Sequence, residues 1–277
     1  MKIQRTLSES AFLVNESRAR RVDISQDRHA QLWVSKATRE LWEDFTAKVY
    51  PYDAIELGLR NRFFLDTLRF FVRSAKNPVF VNIGAGFTSY PFLVEESCRY
   101  IEVDLEHVID FKRKQIETWI KNGRMPERKI EFIPADLCSA GDRKRLQTTL
   151  TSSLVDTPSF LLLEGITYYL DEAVLHALFE MCAAIQRHGS VLAFDYWNPF
   201  IKSNPVFLRF KKYFAERFGH KETHYTFFDE EFIHTIHEYT PIEWTDIQKL
   251  ETRYTDTIML KNTLEILPEN YVVLQRK

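Results

Sequence analysis

The stretch VFVNIGAGFTSYPF, Val79 to Phe92, constrains this chain more than any other, because an apolar run of strand length breaks straight into Gly-Ala-Gly. The run reads as a buried strand. Gly84 and Gly86 free the following turn to take φ values that side chains resist, and they let a ligand approach the backbone. An ordinary strand-to-helix turn would use the same residues, so the glycines alone leave both readings open.

The rest of the chain supplies the context. From Pro78 on, VFVNI (79–83), RYIEVD (99–104), KIEFIPAD (129–136), SFLLLEG (159–165) and SVLAFDYW (190–197) alternate with helix-like stretches at Glu106–Asn122, Arg143–Leu150 and Asp171–Arg187. That alternation predicts an α/β fold with a doubly wound, mostly parallel sheet and right-handed crossovers, which binds ligands at the carboxyl ends of its strands. A final pair near Ile242–Ile247 and Tyr271–Gln275 is expected to close the sheet as edge strands. Residues 1–75 read as helical and amphipathic: Lys36–Lys48 brings Leu41, Trp42 and Phe45 together, and Phe63–Val72 spaces Phe64, Leu68 and Phe71 for one helix face. We expect this segment to form an N-terminal helical cap or lid on a domain spanning 76–277. The aromatic, charged segment 198–240 breaks the rhythm after the fifth strand and is expected to be a helical insertion over the strand ends.

Composition excludes several classes. Lys+Arg 37 against Asp+Glu 39 gives a formal charge of -2, with no basic footprint for nucleic acid. No run of about 18 apolar residues predicts a membrane span, and the first residues show no signal-peptide pattern, so a cytoplasmic protein is expected. Cys98, Cys138 and Cys182 lie far apart, which argues against disulfides and structural zinc. His234 and His237 lack a third ligand at useful spacing and read as solvated helix histidines, so no metal is expected. The 22 Phe among 14% aromatics fit either a core or an aromatic-lined pocket.

Four further positions point to a ligand. Ser89 stands where a dinucleotide fingerprint has its third glycine, which disfavours pyrophosphate and a nicotinamide-dependent oxidoreductase. Asp104 ends the second strand eighteen residues after Gly86, placed to accept ribose hydroxyls. Asp136 ends the third strand, either to take an exocyclic amine of adenine or to cap the next helix. Glu164 follows three leucines; a carboxylate there needs a partner or solvent, and a cationic ligand group suits it. A nucleoside without phosphates, carrying a cationic centre and an amino acid, describes S-adenosyl-L-methionine better than a nicotinamide dinucleotide.

VFVNIGAGFTSYPF, YIEVDLEHVIDFKRK, IPADL and LLLEGITYYLDEAVLHALF, in that order, resemble the leucine carboxyl methyltransferase family, and within it the bacterial tetracenomycin-type polyketide carboxyl methyltransferases. The resemblance covers roughly 53 to 197. It implies a class I methyltransferase fold, Rossmann-like and seven-stranded with a reversed last strand. It also implies S-adenosyl-L-methionine as cofactor, with its carboxylate on Arg60 or the adjacent alternative Arg62, its methionine portion over Gly84 and Gly86, its ribose on Asp104, its adenine against Asp136 and the Leu137 backbone, and its amino group on Glu164. Without a ligand, Arg60 would pair with Glu56 one turn earlier. Phe87-Thr88-Ser89-Tyr90 departs from the Asp-Thr-Arg-like loop of the phosphatase-modifying members, so transfer of their substrate does not follow.

The expected reaction is O-methyl transfer, most readily to a carboxylate of a small, polyketide-like or other secondary metabolite. A carboxylate is ionised at pH 7 whereas a phenol of pKa about 10 needs a base. Hydroxyl acceptors, a protein C-terminal carboxylate, and a non-catalytic nucleoside-binding module are the alternatives. Tyr168, Tyr169, Tyr196, Trp197 and His224, with His220 beside it, are candidates for the acceptor side; Tyr196 and Trp197 would either stack on substrate or pack the sheet rim. No catalytic residue is assigned. The expected partner is a small-molecule acceptor, with a homodimer left open and neither nucleic acid nor membrane anticipated.

Overall fold

The computed structural model describes residues 2–218 and 224–277. Seven strands, β1 (Val79–Ile83), β2 (Arg99–Asp104), β3 (Ile130–Pro134), β4 (Ser159–Leu163), β5 (Val191–Tyr196), β6 (Tyr239–Asp246) and β7 (Asn270–Arg276), form one sheet in the order β3-β2-β1-β4-β5-β7-β6. The first five run parallel to one another, and β7 runs antiparallel to both β5 and β6. The mostly parallel, doubly wound sheet with its reversed last strand is therefore present.

One expectation changes. The last two segments do not both form edges, because β7 lies between β5 and β6. Tyr271, Val272, Val273 and Leu274 are all buried, so both faces of β7 are apolar and need cover. β6, interrupted by Pro241 and a register shift before Glu243, is the strand suited to an edge.

Before the sheet come α1 (Lys2–Arg20), α2 (Val22–Ser25), α3 (Lys36–Lys48) and α4 (Asp53–Ser74). α3 starts where a reciprocal capping box forms: Thr38 N donates to Ser35 Oγ, and Ser35 N donates to Thr38 Oγ1. α4 is part of the sheet's own core, since Phe64, Leu68 and Phe71 pack with Phe80 of β1, Phe160 of β4 and Tyr271 of β7. Each such buried side chain contributes about 1.5–3 kcal/mol. α5 (Glu106–Lys121), α6 (Ala140–Ser153) and α7 (Glu172–Ile185) are the crossovers. Leu146 and Leu150 of α6, with Leu175 and Leu178 of α7, cover the opposite face.

α8 (Pro205–Phe218) and α9 (Glu230–His234) lie in the 198–240 segment, and α10 (Ile247–Tyr254) joins β6 to β7. His220 lies outside the described residues. Phe207, Phe210 and Phe214 of α8 join Phe45 of α3, Tyr168 and Trp197 in one aromatic cluster. Tyr213 Oη donates to Asp44 at 3.0 Å, and Arg209 Nε donates to Val49 O at 2.6 Å. These contacts tie the inserted helix to the N-terminal layer. The strand order reverses between β1 and β4, which opens a crevice at their carboxyl ends.

Candidate functional site

A cavity of about 440 Å³ occupies that crevice, and residues from α1, the ends of β1, β2, β3 and β4, and the segment after α8 converge on it. The turn after β1 forms one wall. Gly84 has φ +76 and Gly86 φ +44, both left-handed, and a Cβ on Gly84 would stand 2.5 Å from Ile166 Cγ2. Gly84 N and Ala85 N both donate to Val103 O, so the turn is fastened to β2. A Cβ on Gly86 would meet only Ala11 of α1, at 3.7 Å.

Asp104 faces the same turn. Its Oδ2 accepts from Gly86 N and its Oδ1 from Leu105 N, each at 2.7 Å. Burial pushes its pKa up, while those two amides and Lys112 pull it back toward the ionised form. Asp136 is exposed at the cavity edge, and its Oδ1 accepts from Cys138 N at 2.9 Å. It does not cap α6; Ser139 does, accepting from Asp142 N. Leu137, half-buried, lines the cavity beside it.

Arg60 and Glu164 sit at the other end, and both are buried. Arg60 Nε donates to Glu164 Oε1 at 3.1 Å. Its Nη1 faces Asp195 Oδ2 and Glu269 Oε1, both at 3.2 Å, and Tyr168 Oη at 3.4 Å. Its partners are thus these carboxylates and not Glu56, which accepts from Tyr50 Oη. Burial opposes the Arg60 charge, but Glu269, Tyr168, Asp195 and Glu164 outweigh it and hold the pKa above its ordinary value. Burial and then Glu269 push Asp195 well above the carboxylate range. Glu164 Oε2 also accepts from Tyr90 Oη at 2.7 Å.

A second cation enters from α1. Arg18, 1% exposed, places Nη1 3.9 Å from Glu164 Oε1, and its Nη2 donates to Phe87 O at 3.1 Å. Sequence reasoning missed it, because one arginine among SRARR looks like solvated helix surface. Its position on the buried side of α1 was the only available signal.

The aromatic candidates separate. Tyr168, Tyr169 and His224 line the cavity with Tyr225 and Phe214, whereas Tyr196 and Trp197 do not. Tyr196 turns into the core, stacked on Phe228 at 4.8 Å, and its Oη accepts from Trp244 Nε1. Trp197 lies directly behind Tyr168. Alternation along β5 and its continuation sends adjacent side chains to opposite faces, so the pair could not share one surface. His224 Nε2 is 3.9 Å from Asp171 Oδ1 at the exposed mouth. Among the described residues no group of three or more His, Cys, Asp or Glu could hold a metal. Of the histidine pair, only His234 lies in a helix, at the end of α9; His237 follows it in a turn. No helix among the described residues is long and apolar enough to cross a membrane.

Residues 11–183 match the family model described as leucine carboxyl methyltransferase. A Streptomyces coelicolor protein provisionally named an S-adenosyl-L-methionine-dependent methyltransferase is 29% identical over 155 residues, 54% of this chain and 48% of that protein. The chain thus spans about half the length of the curated relative it matches. A solved DUF574-family protein from Streptomyces avermitilis is 14% identical with a TM-score of 0.63, covering 87% of this chain and 91% of its own. A solved protein of Thermobifida fusca, provisionally named a methyltransferase, is also 14% identical, with a TM-score of 0.60 over 88% and 89%. At that identity the likeness is one of fold.

Proposed function

The chain belongs to the leucine carboxyl methyltransferase family, and from that premise we propose that it is an S-adenosyl-L-methionine-dependent O-methyltransferase acting on a small metabolite. The observation that carries the reading is the convergence of Gly86, Asp104 and Glu164, from the ends of β1, β2 and β4, on one cavity. Gly86 lines the cavity without a side chain, which fits a ligand passing close to the backbone. The donor set fits too, with carboxylates for hydroxyls and an ammonium and guanidinium groups for a carboxylate.

Each residue then has a task. Asp104 accepts from the ribose hydroxyls while keeping its two amide bonds, since each oxygen has a second lone pair. Asp136 and the Leu137 backbone flank the adenine. Glu164 takes the amino group. Arg60 offers Nη2, the nitrogen not engaged by Glu164, Asp195, Glu269 or Tyr168, and Arg18 supplies a second cation for the carboxylate.

When bound, the cofactor supplies a methyl group on a sulfonium, open to in-line displacement by an oxygen. The protein's part is alignment, an effect that contributes about 7–11 kcal/mol in well-oriented systems. Tyr168, Tyr169 and Tyr225 offer ring faces and hydroxyls to a partly apolar acceptor. A carboxylate on that acceptor needs no base, and this is our first reading. A hydroxyl acceptor is favoured by one observation, the His224–Asp171 pair, which could take up the proton.

Two measurements test the proposal. Calorimetric titration with S-adenosylhomocysteine, with NADH as control, should give saturable micromolar binding of the first alone. Methyl-labelled cofactor and a panel of carboxylic acids should then give a base-labile ester. An alkali-stable ether as sole product transfers the assignment to the hydroxyl reading, and a folded protein that binds no S-adenosylhomocysteine ends the enzyme reading.

A further inference from the structure

Behind the glycine turn lies a charged pair that methyl transfer leaves without a task. Lys112 of α5 and Glu102 of β2 are 1% and 0% exposed, with Nζ 2.8 Å from Oε2. Neither Glu102 oxygen makes a well-aligned hydrogen bond, so the ion pair with Lys112 is what holds the carboxylate. Burial works against both charges, pushing Lys112 down and Glu102 up. Such pairs seldom help a fold, because desolvation cancels the attraction and apolar residues of similar volume serve as well or better. The sheet does not require an acid here either, since Glu102 is in register with Asn82 of β1 and Phe132 of β3.

The surroundings show what the charge reaches. Lys112 Nζ lies 3.4 Å from Ala85 O, the carbonyl between the two glycines. The same oxygen accepts from Thr88 Oγ1 at 2.9 Å and Thr88 N at 3.2 Å, and Asn82 Nδ2 donates to Thr88 Oγ1 at 2.8 Å. On its other side the turn donates Gly86 N to Asp104. Asp104 stands two residues after Glu102 on the same strand, so both carboxylates rise from one face of β2. The pair therefore holds the carbonyl side of the turn whose amide side meets Asp104.

We infer that Lys112, anchored by Glu102, is a positioning residue for the nucleoside end of the ligand: it fixes Ala85 O so that Gly86 N and Asp104 meet the ribose at a set separation. The inference rests on the cofactor reading above, and its consequence is selective. Losing the clamp should weaken every ligand that carries the ribose, whether or not it carries the amino acid.

The test compares wild type with a Lys112→Met, Glu102→Met double variant, titrated with S-adenosylhomocysteine and with 5′-methylthioadenosine, which keeps adenine and ribose but lacks the amino acid. The double variant should melt at or above the wild-type temperature yet bind both nucleosides at least tenfold more weakly, by the same factor. Wild-type affinity in the folded double variant overturns the inference, as does a loss confined to S-adenosylhomocysteine. Should the double variant not fold, Lys112→Gln keeps a donor without the charge; it should show a smaller loss for both ligands, and unchanged affinity overturns the inference. Wild-type protein that binds neither ligand instead overturns the cofactor reading on which it rests.

Discussion

Tyr168 lies flat on Trp197, their ring centroids 3.8 Å apart and their planes within 6°. Tyr168 faces the cavity and touches Arg60, while Trp197 is 1% exposed among Phe207, Phe210 and Tyr225. The stack makes the cavity wall continuous with the aromatic cluster that joins α3, α8 and the sheet. Rings that the sequence left open between core and pocket are here both, in successive layers.

That layering predicts a divided effect for Trp197→Ala. Truncating a buried Trp costs about 3–5 kcal/mol of stability. Tyr168 would lose its backing, so the Michaelis constant for the acceptor should rise severalfold while S-adenosylhomocysteine affinity changes little. Thermal unfolding with steady-state kinetics checks this; a cofactor affinity that falls as far as acceptor affinity would show that the stack supports the whole cavity.

Asp104→Asn isolates the charge at the position proposed for the ribose. The amide keeps one acceptor oxygen but turns an NH₂ toward Gly86 N or Leu105 N, which now donate to the carboxylate at 2.7 Å. Hydrogen bonds to a charged group are worth about 1.5–3 kcal/mol, so cofactor affinity should drop roughly 10- to 100-fold with the fold intact. Unchanged binding in a calorimetric titration would remove Asp104 from the site.

The glycines separate geometry from space. In Gly84→Ala the left-handed backbone strain of about 1–2 kcal/mol adds to a Cβ 2.5 Å from Ile166 Cγ2, whereas in Gly86→Ala only strain remains. Gly84→Ala should therefore be the less stable variant by thermal melting, and an added Ile166→Ala should recover the steric part alone. Equal melting temperatures would mean that Ile166 moves aside freely.

These sites differ in how far the sequence discloses them. Gly84, Asp104, Asp136 and Glu164 all follow strands whose apolar runs are local, so their convergence could be inferred from a parallel sheet before any coordinates. The surroundings of Arg60 could not. Its partners Glu164, Asp195 and Glu269 lie 104, 135 and 209 positions away, and only the folded chain brings them together. Asp195 hides inside a strand motif, and Glu269 precedes β7 in an unremarkable Pro-Glu-Asn. Lys112 and Arg18 sit on amphipathic helices where a basic residue ordinarily meets water, and tertiary packing overrides that expectation. The inner place of β7 was missed because the four-residue apolar run Tyr271–Leu274 does not reveal how many neighbours it has.

Asp53 offers a measurable pH signature. It is buried, it accepts from Trp42 Nε1 at 3.1 Å and from Ser17 Oγ, and its pKa is raised to about 6, chiefly by burial. The folded state thus binds a proton there that the unfolded chain, with a carboxyl near its ordinary 3.8, releases earlier. Stability from this group is full below about pH 4 and is lost as pH rises through about 6, a span worth roughly 3 kcal/mol. Asp53→Asn can still accept from Ser17 and Trp42 but cannot ionise. The stability difference between Asp53→Asn and wild type should therefore shift in favour of the variant between pH 4 and pH 7 and stay level above that. Denaturant melts at matched pH values check the slope. A difference independent of pH would place the Asp53 carboxyl in its ordinary range and mean that Ser17 and Trp42 fully offset its burial.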